Sequence, residues 1–159
     1  MSEPYDSTVD TNDHIARVQQ LLRQFAGILE ERAIVHDRSK LVSPEKEVFD
    51  VVTPKLKALT YGSEEYKASL AEMGEALNHH YLVNSHHPQH YPNGIDGMNL
   101  FDLVEMFLDW KAATERHADG NIWTSIETNK DRFGISDQLA GILRNTAVGL
   151  RWQGWDKEN

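Results

Sequence analysis

Histidines are the residues of this chain whose spacing first indicates chemistry. Five of its eight histidines fall within one short stretch, at His79, His80, His86, His87 and His90. Imidazoles at this density are typical of metal sites. A polar loop whose histidines contact water or backbone has the same composition, and His90 fits that interpretation best. On a helix, His80 and Asn84 share a face that extrapolates to His87.

A second group of candidate ligands lies nearer the N-terminus. His36-Asp37 is an adjacent imidazole–carboxylate pair, and His14 lies on the apolar face of a helical pattern. Imidazole and carboxylate together suit zinc, iron, manganese and similar divalent ions. Each candidate has a structural alternative. His36-Asp37 could be a surface pair, and His14 could be a core histidine whose hydrogen bonds are satisfied. Lys40, three residues after Asp37, is a candidate phosphate contact or a solvated surface lysine.

A stripe of acids marks the apolar segment that begins at Leu100. Asp102, Glu105 and Asp109 follow the spacing i, i+3, i+7, so they share one side of a helix that is otherwise apolar almost all round. Burying carboxylates is costly unless they are paired or bound to metal. The stripe is either a solvent face or a buried acidic face. Asp102 could also be the partner of an Asn99 cap, so Asp109 is the stronger candidate ligand.

Apolar residues at helical spacing recur along the chain, and no convincing period-two alternation is present. The sequence therefore predicts an all-α fold, a single domain of five to seven helices with no sheet. The predicted helices cover about residues 12–32, 43–59, 64–84, 100–117, 123–132 and 136–150. The predicted boundaries are a flexible tail over 1–11, a metal-binding helical domain over 12–152 and a C-terminal tail over 153–159.

Composition excludes several classes of function. The chain of 159 residues has no cysteine, which excludes disulfides, thiolate zinc sites and a cysteine nucleophile. Its net charge of −9 argues against broad nucleic-acid binding and against docking on anionic membranes. No apolar run approaches the roughly 20 residues of a membrane span, and the acidic N-terminus is unlike a signal peptide, so we expect a cytoplasmic protein. Handling phosphates would require local positive charge, which a metal ion supplies.

The order of these candidates resembles a known superfamily. His14, His36-Asp37 and Asp109 follow the order of ligands in the HD superfamily of metal-dependent phosphohydrolases, which is all-α. The segment His36–Lys40 is similar to the His-Asp-x-Gly-Lys segment of its HD-GYP branch. His86-His87, the Asn93-Gly94 loop and the helix that reaches Asp109 are similar to that branch's His-His-Glu, glycine-rich loop and distal aspartate. The likeness covers about residues 12–115.

The chain departs from the HD-GYP pattern at three points. Ser39 replaces the usual glycine, Pro88 stands where the branch has glutamate, and the Gly-Tyr-Pro motif is missing. These departures argue against a cyclic dinucleotide as substrate. The chain also resembles a family of short, uncharacterised bacterial and phage proteins with His-Asp-x-Ser-Lys and His-His-Pro motifs.

The HD resemblance implies roles for individual residues. The expected metal ligands are His14, His36, Asp37 and Asp109, extended towards a second metal by His80, His86 and His87. The expected catalytic residues are Asp37, Lys40 and Glu105, and Lys40 and Arg38 would contact the substrate. Asp102 and Glu105 are also candidates to orient histidines. We expect His14, His36 and Asp109 to converge in one pocket.

The resemblance also implies a reaction, a cofactor and a partner. The expected activity is hydrolysis of a small phosphate ester, such as a nucleotide, by metal-activated water. The expected cofactor is one or two divalent ions, chosen from Mn, Fe, Co, Ni, Zn and Mg. A homo-oligomer is compatible with the sequence. Two alternatives stay open: an HD-fold di-iron oxygenase with the same ligands, and a non-catalytic helical binding module with structural metal.

Overall fold

The computed structural model describes residues 5–60, 63–116 and 120–152, and these are all-α, with seven α-helices and no strand. The helices are α1 Thr8–Val35, α2 Glu45–Lys57, α3 Glu64–Ala71, α4 Gly74–Val83, α5 Leu100–Thr114, α6 Ile122–Phe133 and α7 Asp137–Gly149. Short 3₁₀ turns cover Arg38–Leu41, Pro88–His90 and Gly94–Gly97. The predicted all-α class is confirmed. Within these ranges no helix combines the length and hydropathy that crossing a bilayer requires.

The chain forms two compact units, Met1–His36 and Asp37–Asn159. The first contains α1, which begins earlier and ends later than the predicted helix over 12–32. The early start has a local cause, because the carboxylate of Asp6 accepts hydrogen bonds from the backbone N–H of Thr8 at 2.9 Å and from its hydroxyl at 2.6 Å. The predicted C-terminal tail over 153–159 lies outside the described residues.

The core of the second unit is built on α5. Met106, Phe107 and Trp110 are buried on one side of this helix. They pack with buried residues of α6, of α7 and of the turn between them: Ile122, Ile126, Ile135, Ala140, Leu143 and Ala147. Packing on this side leaves Glu105 and Asp109 on a separate, half-buried stripe of α5. The helix thus presents one apolar face to the core, and its two half-buried acids lie on a different side.

One predicted helix is wrong, because residues 64–84 form two helices. α3 ends at Ala71 and α4 begins at Gly74, which adopts a left-handed conformation with φ of +45°. Glycine adopts this conformation without the steric cost that a Cβ brings, so the chain changes direction there. α4 then carries His79 and His80 in its second half.

Side-chain caps begin α5 and α7. Asn99 and Asp102 form the capping box on α5, and the hydroxyl of Ser136 accepts from the N–H of Leu139 at 3.2 Å in α7. The sequence Ser43-Pro44-Glu45 predicts a hydroxyl cap from Ser43 on α2, and this prediction is wrong. The N-cap residue there is Pro44, whose side chain has no acceptor atom, and Glu45 turns into the interior instead.

Candidate metal centre

Asp37 has an unusual backbone conformation at the start of the second unit. Its φ of 56° and ψ of 13° place it in the left-handed region, where Asp is one of the few non-glycine residues found with any frequency. Its carbonyl accepts the N–H of Lys40 at 2.9 Å, which closes the 3₁₀ turn Arg38–Leu41. That turn brings Lys40 back towards Asp37, and its Nζ lies 2.5 Å from Asp37 Oδ2.

The histidines come from the end of α4 and from the turn that follows it. α4 ends at Val83, and the side-chain amide of Asn84 donates to the carbonyl of His80 at 2.9 Å. The next turn is closed by the N–H of His87, which donates to the carbonyl of Asn84 at 3.3 Å. Because the helix stops, the chain brings both His86 and His87 to the side of His80. Helical extrapolation places only His87 there.

Four side chains of the second unit converge to form what we call the Asp37 cluster: Asp37, His80, His86 and His87. One ligand atom of each lies within 4.8 Å of all the others, so the group can hold a metal ion. His80 Nε2 is 3.3 Å and His86 Nε2 is 3.5 Å from Asp37 Oδ1. Ligands about 2.1 Å from a tetrahedral ion lie about 3.4 Å apart, so these spacings fit. The His80 Nε2–His87 Nε2 distance of 2.8 Å is shorter and would have to lengthen slightly.

Two carboxylates support the histidine rings from behind. Glu45 Oε2 lies 2.9 Å from His80 Nδ1, and Glu105 Oε1 lies 3.0 Å from His86 Nδ1. An ionised carboxylate only accepts hydrogen bonds, so each neutral ring keeps its proton on Nδ1 and directs the lone pair of Nε2 towards the Asp37 cluster. Histidines that bind metals are held in this way by a carboxylate on the other ring nitrogen.

Glu45 anchors a wider polar network. It is fully buried, and besides His80 it contacts the hydroxyl of Ser39 at 2.9 Å and His79 Nδ1 at 2.8 Å. Burial alone would raise the pKa of Glu45, but hydrogen bonds from His79, Ser39 and His80 hold it below its usual value. The amide of Asn84 donates to the Ser39 hydroxyl at 2.9 Å. The network thus keeps Glu45 ionised behind His80.

The three histidines of the Asp37 cluster differ in their affinity for protons. Burial, together with the charges of His86 and His80, lowers the pKa of His87 to about 3. Burial and the charge of Lys40 also lower the pKa of His80. For His86 burial acts in the same direction, but hydrogen bonding to Asp37 and Glu105 outweighs it and raises the pKa. At neutral pH His80 and His87 are therefore unprotonated, which is the state that metal binding requires.

The acids of α5 divide into two groups. Glu105 bonds to His86, and the charge of Asp109 acts on the pKa of His87, so both belong to the surroundings of the Asp37 cluster. Asp102 is the capping acid. It is fully buried and accepts from the hydroxyls of Ser85 and Tyr91, each at 2.7 Å, and from the N–H of Asn99 at 3.0 Å. The alternative role of Asp102 as the partner of the Asn99 cap is confirmed.

The remaining candidates are His90, Arg38, His14 and His36. His90 Nδ1 contacts the backbone carbonyl of Tyr81 at 3.1 Å, as expected for a loop histidine. Arg38 is exposed on its 3₁₀ turn, and its contact with substrate stays a prediction. His14 and His36 belong to the first unit, so their roles as ligands also stay predictions.

Glu45 is a functional candidate that the sequence analysis missed. Its place after Ser43-Pro44 indicated an acid in the first turn of a helix, where exposure is normal. The spacing of α2 could have indicated burial of Glu45. Glu45, Phe49 and Val52 recur at i, i+4, i+7, so Glu45 shares the apolar side of the helix. Glu45 and Val52 are both buried on that side.

Comparison with known proteins identifies a family but no activity. The model of a family of unknown function, DUF5662, matches residues 3–148. No curated protein and no solved structure matches the chain. Because these comparisons supply no activity, the geometry of the Asp37 cluster is the observation that bears on function. Because the match spans most of its length, the chain belongs to the DUF5662 family.

Proposed function

We propose that the chain is a metal-dependent phosphohydrolase that acts on a small phosphate ester, with nucleotides as the favoured class. One observation carries the proposal. The carboxylate of Asp37 is shared, with Oδ1 at 3.3 Å and 3.5 Å from two histidine Nε2 atoms and Oδ2 at 2.5 Å from Lys40 Nζ. The Asp37 carboxylate thereby brings candidate metal ligands and an ammonium group together. A metal ion and an ammonium group at one place can both contact the oxygen atoms of a phosphate.

Each residue has a distinct part in this proposal. The side chains of the Asp37 cluster would hold one divalent ion. The resemblance assigns a basic metal site to His14, His36, Asp37 and Asp109, which His80, His86 and His87 would extend to a second ion. A divalent ion, when bound, neutralises phosphate oxygens and lowers the pKa of water. Lys40 is partly exposed, so its ammonium can donate to a non-bridging phosphate oxygen. Glu105 acts through His86 and is a positioning residue.

The Lys40–Asp37 contact favours hydrolysis over the two other classes. An oxygenase or a structural metal site would use the same histidines, but a cation beside them is needed only where the substrate is an anion, as phosphate monoesters and diesters are. A small free substrate also suits a net charge of −9 better than a polymer does, because an acidic surface repels long polyanions. Cytoplasmic location and homo-oligomer formation stay predictions.

Variants at Asp37 and Lys40 separate metal binding from turnover. Asp37→Asn tolerates the left-handed backbone and removes the charge, so we expect it to lose most of its bound metal. Lys40→Ala should keep metal and lose at least about 10-fold in rate, or about 1.4 kcal/mol. Lys67→Ala, at an exposed lysine of α3 paired with Glu64, is the control and should match the wild type.

The measurements are elemental analysis and a phosphatase screen. The wild type and variants are loaded with Mn, Co, Ni, Mg, Zn or Fe(II) and tested on nucleotides and phosphomonoesters. Turnover by none of the loaded wild-type forms would end the hydrolase proposal, and oxygen consumption by the Fe(II) form would then support the oxygenase. Stoichiometric metal in a double Asp37/Asp109 alanine variant would place the metal elsewhere.

A further inference from the structure

An open cleft of about 410 Å³ runs along α2. It is lined by Lys40, Phe49, Asp50, Thr53, Pro54 and Lys57. Phe49, Thr53 and Lys57 recur at i, i+4, i+8, so they form one stripe of the helix. The volume falls within the range of small-molecule sites, about 300–1,000 Å³.

The cleft begins beside the Asp37 cluster. Lys40 lines the cleft and also contacts the cluster, because its Nζ lies 2.5 Å from Asp37 Oδ2 and 5.0 Å from the centroid of the Phe49 ring. Phe49 in turn packs edge-on against His80, with ring centroids 5.9 Å apart and an interplanar angle of 61°. A phosphate held at Lys40 would therefore have the rest of its molecule directed along α2.

The charge of the cleft suits an anionic ligand. The single acid of the lining, Asp50, is bonded to Lys46 at 2.8 Å and 3.1 Å, and Lys40 is paired with Asp37, so the charge of Lys57 leaves the cleft and its ion-pair partners with one net positive charge. This local excess of positive charge stands out on a chain of net charge −9. Such a patch attracts a phosphate-bearing molecule that the remaining surface repels.

The other lining residues suit a planar ring that carries oxygen atoms. Phe49 and Pro54 provide apolar surface, and Thr53 and Lys57 provide polar groups on the same stripe. Small-molecule sites combine apolar contact with a few placed polar groups in this way. A nucleoside has both properties.

We propose that this cleft binds the nucleoside part of a nucleotide whose phosphate lies at Lys40. The base and sugar contact Phe49 and Pro54, and Lys57 and Thr53 hydrogen-bond to their oxygen atoms. The inference rests on the proposed function and adds the position and class of the substrate.

The test compares binding of two kinds of probe to the metal-loaded protein by titration calorimetry. The probes are methylphosphonate and the non-hydrolysable phosphonate analogues of the adenosine, guanosine, cytidine and uridine 5′-monophosphates. We expect the wild type to bind at least one nucleoside phosphonate about 10-fold or more tightly than methylphosphonate, or about 1.4 kcal/mol. Lys57→Glu and Thr53→Trp should reduce this preference to near one without changing metal content.

Lys55→Glu is the matched control. It makes the same change of charge on α2, but Lys55 pairs with Glu72 and lies outside the cleft lining, so the preference should persist. A preference that survives in both cleft variants, or that Lys55→Glu also abolishes, would overturn the inference. If phosphate esters are turned over without any nucleoside preference, the cleft inference fails and the proposed function stands. If the wild type prefers nucleoside phosphonates but turns over no phosphate ester, the proposed function fails and the cleft inference stands. If it shows neither preference nor turnover, both proposals fail.

Discussion

Pairs of a histidine and a carboxylate, fully buried in Glu45 and half-buried in Glu105, are the main residue-scale feature of this molecule. Glu45 behind His80 and Glu105 behind His86 direct two Nε2 atoms towards Asp37. A buried carboxylate is costly unless several donors stabilise it, and Glu45 contacts His79, His80 and the Ser39 hydroxyl. The rings are therefore held in a ligand geometry by the protein itself. Metal binding would need little reorganisation of these side chains.

At the same scale, the pH dependence of metal affinity should depend on Glu105. Metal competes with a proton at His86, whose pKa is raised, so affinity should fall as the pH falls through that pKa. Glu105→Gln removes a charge that favours the imidazolium, which lowers the pKa of His86 and moves this fall to lower pH. Affinity at about pH 8 should also drop about 10–100-fold, because the ring loses its carboxylate.

Competition titration of zinc against a chromophoric chelator, from about pH 5.5 to pH 8, measures both effects. His87 does not contribute a second transition in this range, because its pKa is about 3. Glu115→Gln, at an exposed acid beyond the end of α5, is the control and should follow the wild type. A variant whose affinity falls at the same pH as that of the wild type would disprove the role of Glu105.

The HD resemblance predicted the members of the Asp37 cluster better than helical spacing did. Histidine density alone did not separate His80, His86 and His87 from His79 and His90, whereas the resemblance named all four members. Helical extrapolation from His80 placed His86 on another face, because it could not anticipate that α4 ends at Val83. Glu45 was missed because its local context indicated an exposed first turn, whereas its burial depends on contacts with residues distant in the chain, such as His80.

At the scale of elements, α5 shows how position within a helix separates acids that share a stripe. Asp102 is the third residue of the helix, where its carboxylate can reach the backbone N–H of the Asn99 cap. Glu105 lies one turn later, where that contact is out of reach, and bonds to His86 instead. The capping box was predictable from Asn99 and Asp102 alone, since it is local. The partner of Glu105 was not, because the loop that carries His86 has no regular spacing.

Asp102→Ala should therefore destabilise the protein without removing its metal site. The change leaves the hydroxyls of Ser85 and Tyr91 and the N–H of Asn99 without their present acceptor. We expect a loss of about 2–4 kcal/mol in the free energy of unfolding, measured by urea denaturation. Metal content per folded molecule should stay unchanged in elemental analysis. A folded variant that no longer binds metal would show that Asp102 belongs to the metal site.

The break between α3 and α4 marks the limit of periodicity as a guide to elements. Apolar residues continue at helical spacing through residues 64–84, and an isolated glycine inside such a pattern is tolerated in many helices. The helical path is interrupted between Ala71 and Gly74, whose φ is positive, and no side-chain pattern reports a backbone angle. The all-α class itself was predictable, because it depends on the average spacing of many residues.

At the scale of the whole molecule, acidity and metal binding complement each other. A net charge of −9 attracts divalent cations and repels phosphates, and Asp37, Glu45, Glu105 and Asp109 add negative charge around the histidines. A bound ion would offset that local charge and create a place where an anion can approach. The same ion would join Asp37, at the start of the second unit, to residues that follow α4.

Metal should consequently stabilise the folded chain. Unfolding separates Asp37 from His80, His86 and His87, so only the folded state offers all four ligands. A free ion at 1,000 times its Kd should add about 4 kcal/mol, and at about 2–4 °C per kcal/mol this raises the Tm by roughly 8–16 °C. Calorimetric scans of chelator-stripped protein over a series of zinc or manganese concentrations measure the shift. Asp37→Asn should show little of it, whereas an equal shift in that variant would mean that the stabilising ion binds outside the Asp37 cluster.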